Sequence, residues 1–218
     1  MGFDTQKDRF RTFGRAKGRT LSPAQAALME AHWPRLAIRP GEPLPPAPLW
    51  LEIGFGTGTH LLHIARRNPD VSVIGAEPFL NGTAKALKGV ADEGLTNVRL
   101  FRGDVRELLA DMPDACLSRV FILFPDPWPK ARHNKRRLIQ GAFVAELHRV
   151  VEPGGAVLFA SDIDSYVDWA LVRFRRHGGW CWDEAEPTQP PEDWPGTKYE
   201  AKARREGRTP RWFRFTRS

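Results

Sequence analysis

LWLEIGFGTG, residues 49 to 58, sets out a short strand that ends in an acid, Glu52, and runs on into glycines at 54, 56 and 58. Glycines in that position let the backbone come close to a ligand at the start of a helix. A tight strand-to-helix turn without a ligand needs fewer than three alternating glycines, so Gly54, Gly56 and Gly58 read as a binding loop. Downstream, short apolar runs alternate with helix-like stretches, the pattern of a parallel sheet with covering helices, and the fold class is therefore α/β. Strands are predicted at Leu49 to Ile53, Val71 to Ala76, Val98 to Phe101, Arg119 to Phe124, Ala156 to Ala160 and Arg211 to Thr216. A helix from about Asn134 to Val151 carries Ile139, Phe143, Leu147 and Val150 as one apolar stripe. Glu152-Pro153-Gly154-Gly155 should stop it and turn the chain into the next strand. Another helix is expected from Ser165 to His177, ahead of an aromatic segment at Trp180.

Upstream of the glycine loop, five of the nine residues from Pro40 to Pro48 are proline, which favours a stiff extended connector. The expected division is a basic N-terminal arm at 1–40 with a short helix from Pro23 to His32, a proline-rich linker at 41–48, and the folded domain at 49–218. Gly2 to Arg19 is polar, basic and glycine-containing and is expected to lack fixed structure alone.

The 218 residues carry 33 Lys and Arg against 26 Asp and Glu, a net charge of +7 that suits a polyanionic partner. The charge is unevenly placed: residues 1–40 sum to +5, residues 198–218 to +6, and residues 41–197 to −4. No apolar run approaches the ~18 to 20 residues of a membrane span, so no membrane partner is expected. The basic start lacks the apolar segment of a secretory signal, and Cys116 and Cys181 form no paired spacing, so a cytoplasmic location is expected. His60 and His63 lie one helical turn apart without a third ligand, and no metal is expected. Nothing in the sequence separates a monomer from a homodimer.

Two features select among ligands. The dinucleotide fingerprint wants its third glycine where Thr59 stands. Moreover, Glu52, Glu77, Asp104, Asp126 and Asp162 each fall at or just past the carboxyl end of a successive predicted strand, the edge along which open α/β sheets bind ligands. Five carboxylates there repel a pyrophosphate and attract the sulfonium and ammonium of S-adenosylmethionine. By position, Glu52 is expected near the amino acid end of that cofactor, Glu77 at the ribose hydroxyls and Asp104 near the adenine. Each acid read singly is also compatible with a helix cap or a solvated loop.

LFPDPWPKARHNKRR, residues 123 to 137, is the most distinctive stretch in the chain. Prolines 125, 127 and 129 fix the backbone around Asp126 and Trp128. Lys130, Arg132, Lys135, Arg136 and Arg137 then crowd the approach to the predicted helix, where the macrodipole disfavours positive charge. Nucleic acid phosphates supply an external reason for such a cluster, and Trp128 offers a surface for stacking on a base. Thr197-Lys198-Tyr199-Glu200 reads as a capping box that starts a helix ending near Gly207.

These residues resemble the bacterial tRNA (guanine-N7-)-methyltransferases: E-I-G-F-G-T-G at 52–58, P-D-P-W-P-K-A-R-H-N-K-R-R at 125–137, T-K-Y-E at 197–200, and R-T-F-G-R-A-K-G-R at 11–19. The resemblance implies a Rossmann-like class I methyltransferase, with a mostly parallel seven-stranded sheet and helices on both faces. It also implies methyl transfer from S-adenosylmethionine to N7 of guanine 46 in the tRNA variable loop, making tRNA the partner. It implies that Glu52, Glu77, Asp104 and Asp126 contact the cofactor, with Asp126 also catalytic. Lys130, Asp162, Thr197, Lys198, Tyr199 and Glu200 are implied as substrate contacts. Arg132, His133, Asn134, Lys135, Arg136 and Arg137 are implied as an RNA-facing segment. Two other readings stay open on the residues alone. One is a related methyltransferase acting on another RNA or a small molecule, which would not need the basic block. The other is a non-catalytic RNA-binding protein, which would not need the intact glycine loop and edge acids.

Overall fold

The computed structural model describes residues 13–14, 18–182 and 188–218. Most of the arm expected to lack fixed structure, and residues 11, 12 and 15–17 of the R-T-F-G-R-A-K-G-R block, lie outside the described residues. The chain divides into two compact units, the first comprising residues 1–46 and 52–112 and the second residues 47–51 and 113–218.

The first unit contains α1 (Pro23–Leu36), the end of β1 (Leu49–Ile53), α2 (Thr59–Arg67), β2 (Ser72–Ala76), α3 (Leu80–Asp92), β3 (Val98–Phe101) and α4 (Val105–Ala110). All five residues of β1 and of β2 are buried, as in a parallel sheet covered on both faces. Helix α1 starts with a reciprocal cap. Gln25 N–H donates to Ser22 Oγ at 3.3 Å and Ser22 N–H donates to Gln25 Oε1 at 3.1 Å. It runs past the expected end at His32 to Leu36, through Pro34, because Met29 and Leu36 are fully buried and hold it against α3 and β3. Ile38 N–H then donates to Leu100 O at 3.1 Å. The segment before the proline-rich stretch is thus part of this unit, whereas the sequence suggested that the folded part begins after it.

Helix α3 lies hard against the glycine loop. A Cβ on Gly82 would come within 2.3 Å of Gly56 O, and one on Gly58, whose φ is +85°, within 2.8 Å of Ala86 Cβ. These close approaches explain why both positions lack a side chain.

The second unit contains β4 (Leu117–Leu123), a 3-10 helix (Ala131–Arg136), α5 (Gly141–Val150), β5 (Val151–Ser161), α6 (Asp164–His177), β6 (Trp180–Trp182), α7 (Lys198–Arg205) and β7 (Arg211–Arg217). Its core is aromatic. Phe159, Tyr166, Phe174 and Phe215 are all at most 1% exposed, and the rings of Phe174 and Phe215 stack at 3.8 Å. The stripe of Ile139, Phe143, Leu147 and Val150 is buried as expected, but the helix expected from Asn134 is two pieces. Chain 137–140 is not helical because side chains compete for its backbone. Gln140 Nε2 donates to Asn134 O and Arg137 O, Trp169 Nε1 donates to Ile139 O at 2.7 Å, and Tyr166 Oη accepts from Ile139 N–H at 3.4 Å. Strand β5 pairs in register with β4 only from Ala156, because Glu152 to Gly155 bulge out where the sequence indicated a turn. Strand β7 buries Trp212 and Phe215 on opposite faces. The three residues of β6 are too few to register as a strand in the sequence.

The seven strands form one mostly parallel sheet in the order β3-β2-β1-β4-β5-β7-β6, with β7 antiparallel to both its neighbours. No helix among the described residues is long and apolar enough to cross a membrane.

Two glycine substitutions should separate packing from conformation. Gly82→Ala should lower stability by roughly 1–3 kcal/mol through overpacking. Gly141→Ala, with open space around the added methyl, should raise it by about 0.5 kcal/mol. Urea denaturation checks both.

Candidate functional site

In the first unit, the ends of β1, β2 and β3 carry Glu52, Glu77 and Asp104, all buried. Glu52 Oε2 lies 2.9 Å from His60 Nδ1, in the first turn of α2, so His60 is a buried partner of the strand-end acid. Glu77 accepts Gly56 N–H on Oε2 at 2.8 Å and Phe79 N–H on Oε1 at 2.9 Å. It therefore ties the glycine loop to the entry of α3. Asp104 caps α4 by accepting Arg106 N–H at 3.1 Å, and the Arg106 guanidinium grips both its oxygens at 2.6 and 2.8 Å. Above Gly54, whose φ is +74°, there is open space where a Cβ would stand. An exposed glycine at the end of a buried strand, in a unit whose strand ends carry acids, is a cradle that suits an amino acid or nucleoside ligand bearing positive charge.

In the second unit, β4 runs into the loop at 124–130. Phe124 and Trp128 there have φ of +52° and +43°, unfavourable for bulky side chains. Asp126, between them, is exposed at one side, yet desolvation by the protein around its carboxyl holds it above the ordinary carboxylate range. Among the described residues no cation pairs with it. Trp128 packs edge-on to His133 at 5.8 Å and beneath the Arg136 guanidinium at 4.9 Å.

The basic block forms the 3-10 helix, with Lys130 at its start and His133, Lys135 and Arg136 in its last turn. That end of a helix favours cations. The cluster therefore does not oppose the macrodipole of α5, as the expected single helix required. Lys130, Arg132 and Lys135 are exposed and Asn134 half-buried. Desolvation, then Arg136, Arg132, Lys130 and Lys135, keep the His133 imidazole below its ordinary value. Arg137, expected in the RNA-facing segment, is instead 4% exposed. It donates to Pro127 O at 2.8 Å and Ser165 O at 2.9 Å.

The residues at 162 and 197–200 are bound up with the protein itself. Asp162 receives Arg208 Nε at 2.6 Å. Thr197 Oγ1 accepts Glu200 N–H at 3.0 Å and so caps α7. The reciprocal half of the expected capping box is replaced, because the buried Glu200 carboxylate takes Trp194 Nε1 and Arg204 Nε. Lys198 and Tyr199 are exposed, with the ammonium 4.9 Å from the ring centre. Of the β7 arginines, Arg211 pairs with Asp164 and Arg217 donates to Val151 O. His60, Arg106, Ser165, Trp194 and Arg208 were not singled out as partners of site residues, because contacts across loops have no sequence period. Among the described residues, no group of three or more His, Cys, Asp or Glu comes together as a metal site.

A family model described as putative methyltransferase matches residues 46–211. The tRNA (guanine-N(7)-)-methyltransferase of Caulobacter vibrioides (strain NA1000 / CB15N) is 48% identical over 200 residues, covering 88% of each chain. That of Rhizobium johnstonii is 44% identical over 216 residues, covering 93% of each. Among solved structures, the 16S rRNA methyltransferase KamB superposes with a TM-score of 0.58 at 17% identity, covering 92% of this chain and 95% of its own. The precorrin-6y C5,15-methyltransferase of Geobacter metallireducens GS-15 does so with a TM-score of 0.54 at 14% identity, covering 99% and 98%. At such identities these two likenesses show the fold alone.

Glu77→Gln tests the tie between the glycine loop and α3. An amide offers one acceptor oxygen where the carboxylate offers two, so one backbone N–H faces a donor. The expected loss is about 1–3 kcal/mol of stability, read by urea denaturation.

Proposed function

The chain belongs to the tRNA (guanine-N7-)-methyltransferase family, and we propose from this that it transfers a methyl group from S-adenosylmethionine to N7 of guanine 46 in the tRNA variable loop. The observation that carries the reading is the match of about nine-tenths of the chain, at 44–48% identity, to relatives named tRNA (guanine-N(7)-)-methyltransferase. Bound S-adenosylmethionine would supply an electrophilic methyl on a sulfonium. The open cradle over Gly54 and the buried acids beside it fit such a group. Glu52 would receive its ammonium end, and Gly54, Gly56 and Gly58 would let backbone run close beside it. Glu77 would accept the ribose hydroxyls, and Asp104 would lie near the adenine.

Guanine N7 has an in-plane lone pair and no proton to lose, so the chain must position rather than deprotonate. Asp126 would stabilise the positive charge that moves onto the purine, or accept from guanine N1–H and N2–H. An unpaired carboxylate in a desolvated setting suits either role, since its field is not cancelled by a neighbouring cation. Lys130, Arg132 and Lys135, exposed on the 3-10 helix, would meet tRNA phosphates, with His133, Asn134 and Arg136 along the same turn. Lys198 and Tyr199 are the accessible members of the 197–200 motif. Thr197, Glu200 and Asp162 would shape the substrate surface through the contacts already described. A cytoplasmic location goes with a tRNA substrate.

The test is to incubate the protein with labelled S-adenosylmethionine and unmodified tRNA and look for label in N7-methylguanosine. Label at position 46 is expected, and none in tRNA would refute the reading. Asp126→Asn should lower kcat by ~10²-fold or more with tRNA binding retained. The pH–rate profile gives a second check. Activity should fall on the acid side as Asp126 takes up a proton, and because its pKa is raised the fall should begin above the ~3.9 of an ordinary aspartate. Asp126→Asn should abolish that limb.

A further inference from the structure

A guanidinium withdrawn from water is usually met by a carboxylate, and Arg137 is not. Among the described residues its partners are neutral: Pro127 O at 2.8 Å, Ser165 O at 2.9 Å, Ser165 Oγ at 3.2 Å, and the rings of Tyr166 and Trp169, each 5.1 Å from the guanidinium carbon. Filling space there would need only an apolar side chain. What the planar fork adds is direction, joining one carbonyl of the loop to the first turn of α6.

That carbonyl is well chosen. The Pro127 ring already fixes φ, and a hydrogen bond to its carbonyl fixes ψ as well. Asp126, preceding a proline, is confined to extended backbone. The left-handed Phe124 and Trp128 on either side persist only if the surroundings over-determine them. Arg136 packs on Trp128 from outside, and Arg137 holds the same loop from within.

We infer that Arg137 is a positioning residue for methyl transfer, clamping the Pro127 carbonyl to α6 and so fixing the direction of the Asp126 carboxylate. This rests on the reading of Asp126 given above. It separates Arg137 from its exposed neighbours, whose charge serves RNA, and it makes Ser165 and Trp169 part of the support for the loop.

Arg137→Lys keeps the charge but loses the fork. Expected are a kcat lower by ~10²-fold, little change in the affinity for S-adenosylmethionine, and an unchanged salt dependence of tRNA binding. The acid limb of the pH–rate profile should move as the setting of Asp126 relaxes, and amide exchange across 123–130 should quicken. Ser165→Ala, which leaves Arg137 in place, should show the same changes several-fold smaller, and it carries the test if Arg137→Lys fails to fold. Wild-type kcat and pH profile in a folded variant would overturn the inference. So would a salt slope reduced by about 0.7 to 0.9, the mark of a lost phosphate contact, or unchanged exchange in the loop. Exchange is measured without substrate. A wild-type protein inactive on tRNA would therefore refute the functional reading while the clamp is still judged by exchange.

Discussion

A carboxylate taken out of water has to be met by donors, and Glu77 is met at both oxygens by backbone N–H groups, from Gly56 on one side and Phe79 on the other. The two N–H groups belong to segments more than twenty residues apart in sequence, the glycine loop and the entry to α3. Bringing them to one side chain draws α3 so close that Gly82 meets Gly56 O and Ala86 meets Gly58. Charge, hydrogen bonding and the lack of side chains are thus one constraint in this unit.

The acids of the strand ends differ in how far the protein has already neutralised them. Asp104 is gripped by Arg106, Asp162 by Arg208, and Glu52 touches His60. Five like charges at one edge overstate the field that the sequence suggested. Asp126 stands apart, with no cation of its own among the described residues and a desolvated setting. A raised carboxylate without a cation partner is the kind of group that the proposed methyl transfer would use.

The fold class and the first four strands could be read from sequence because a buried strand and an amphipathic helix impose periods that survive in the chain, as the stripe of Ile139, Phe143, Leu147 and Val150 did. The break at 137–140 could not be read. The helix is interrupted by Gln140, Trp169 and Tyr166 competing for its backbone groups, and two of these come from an element that follows in sequence. The same limit applied at the site. Residue type and spacing pointed to Glu52, Glu77, Asp104 and Asp126, but a basic run looks alike whether its members face solvent or core. Arg137 sits beside Arg136 in sequence and differs from it only in direction. Glu200 satisfies the spacing of a capping box, yet its carboxylate turns to Trp194 and Arg204 because burial offers it stronger partners.

The bulge at the start of β5 has a use of another kind. Four residues, Glu152 to Gly155, stand opposite the single residue Ser118, and the ladder resumes at Ala156 with its register shifted by the extra residues. Glu152, Pro153 and Gly154 are exposed, and nothing lies within 4 Å of a Cβ on Gly154. The sheet has in effect an expansion joint, where chain length is already uncoupled from strand pairing. Length variation between members of the family should collect there, and an epitope or dye spliced in at Pro153 would leave the aromatic core of that unit undisturbed.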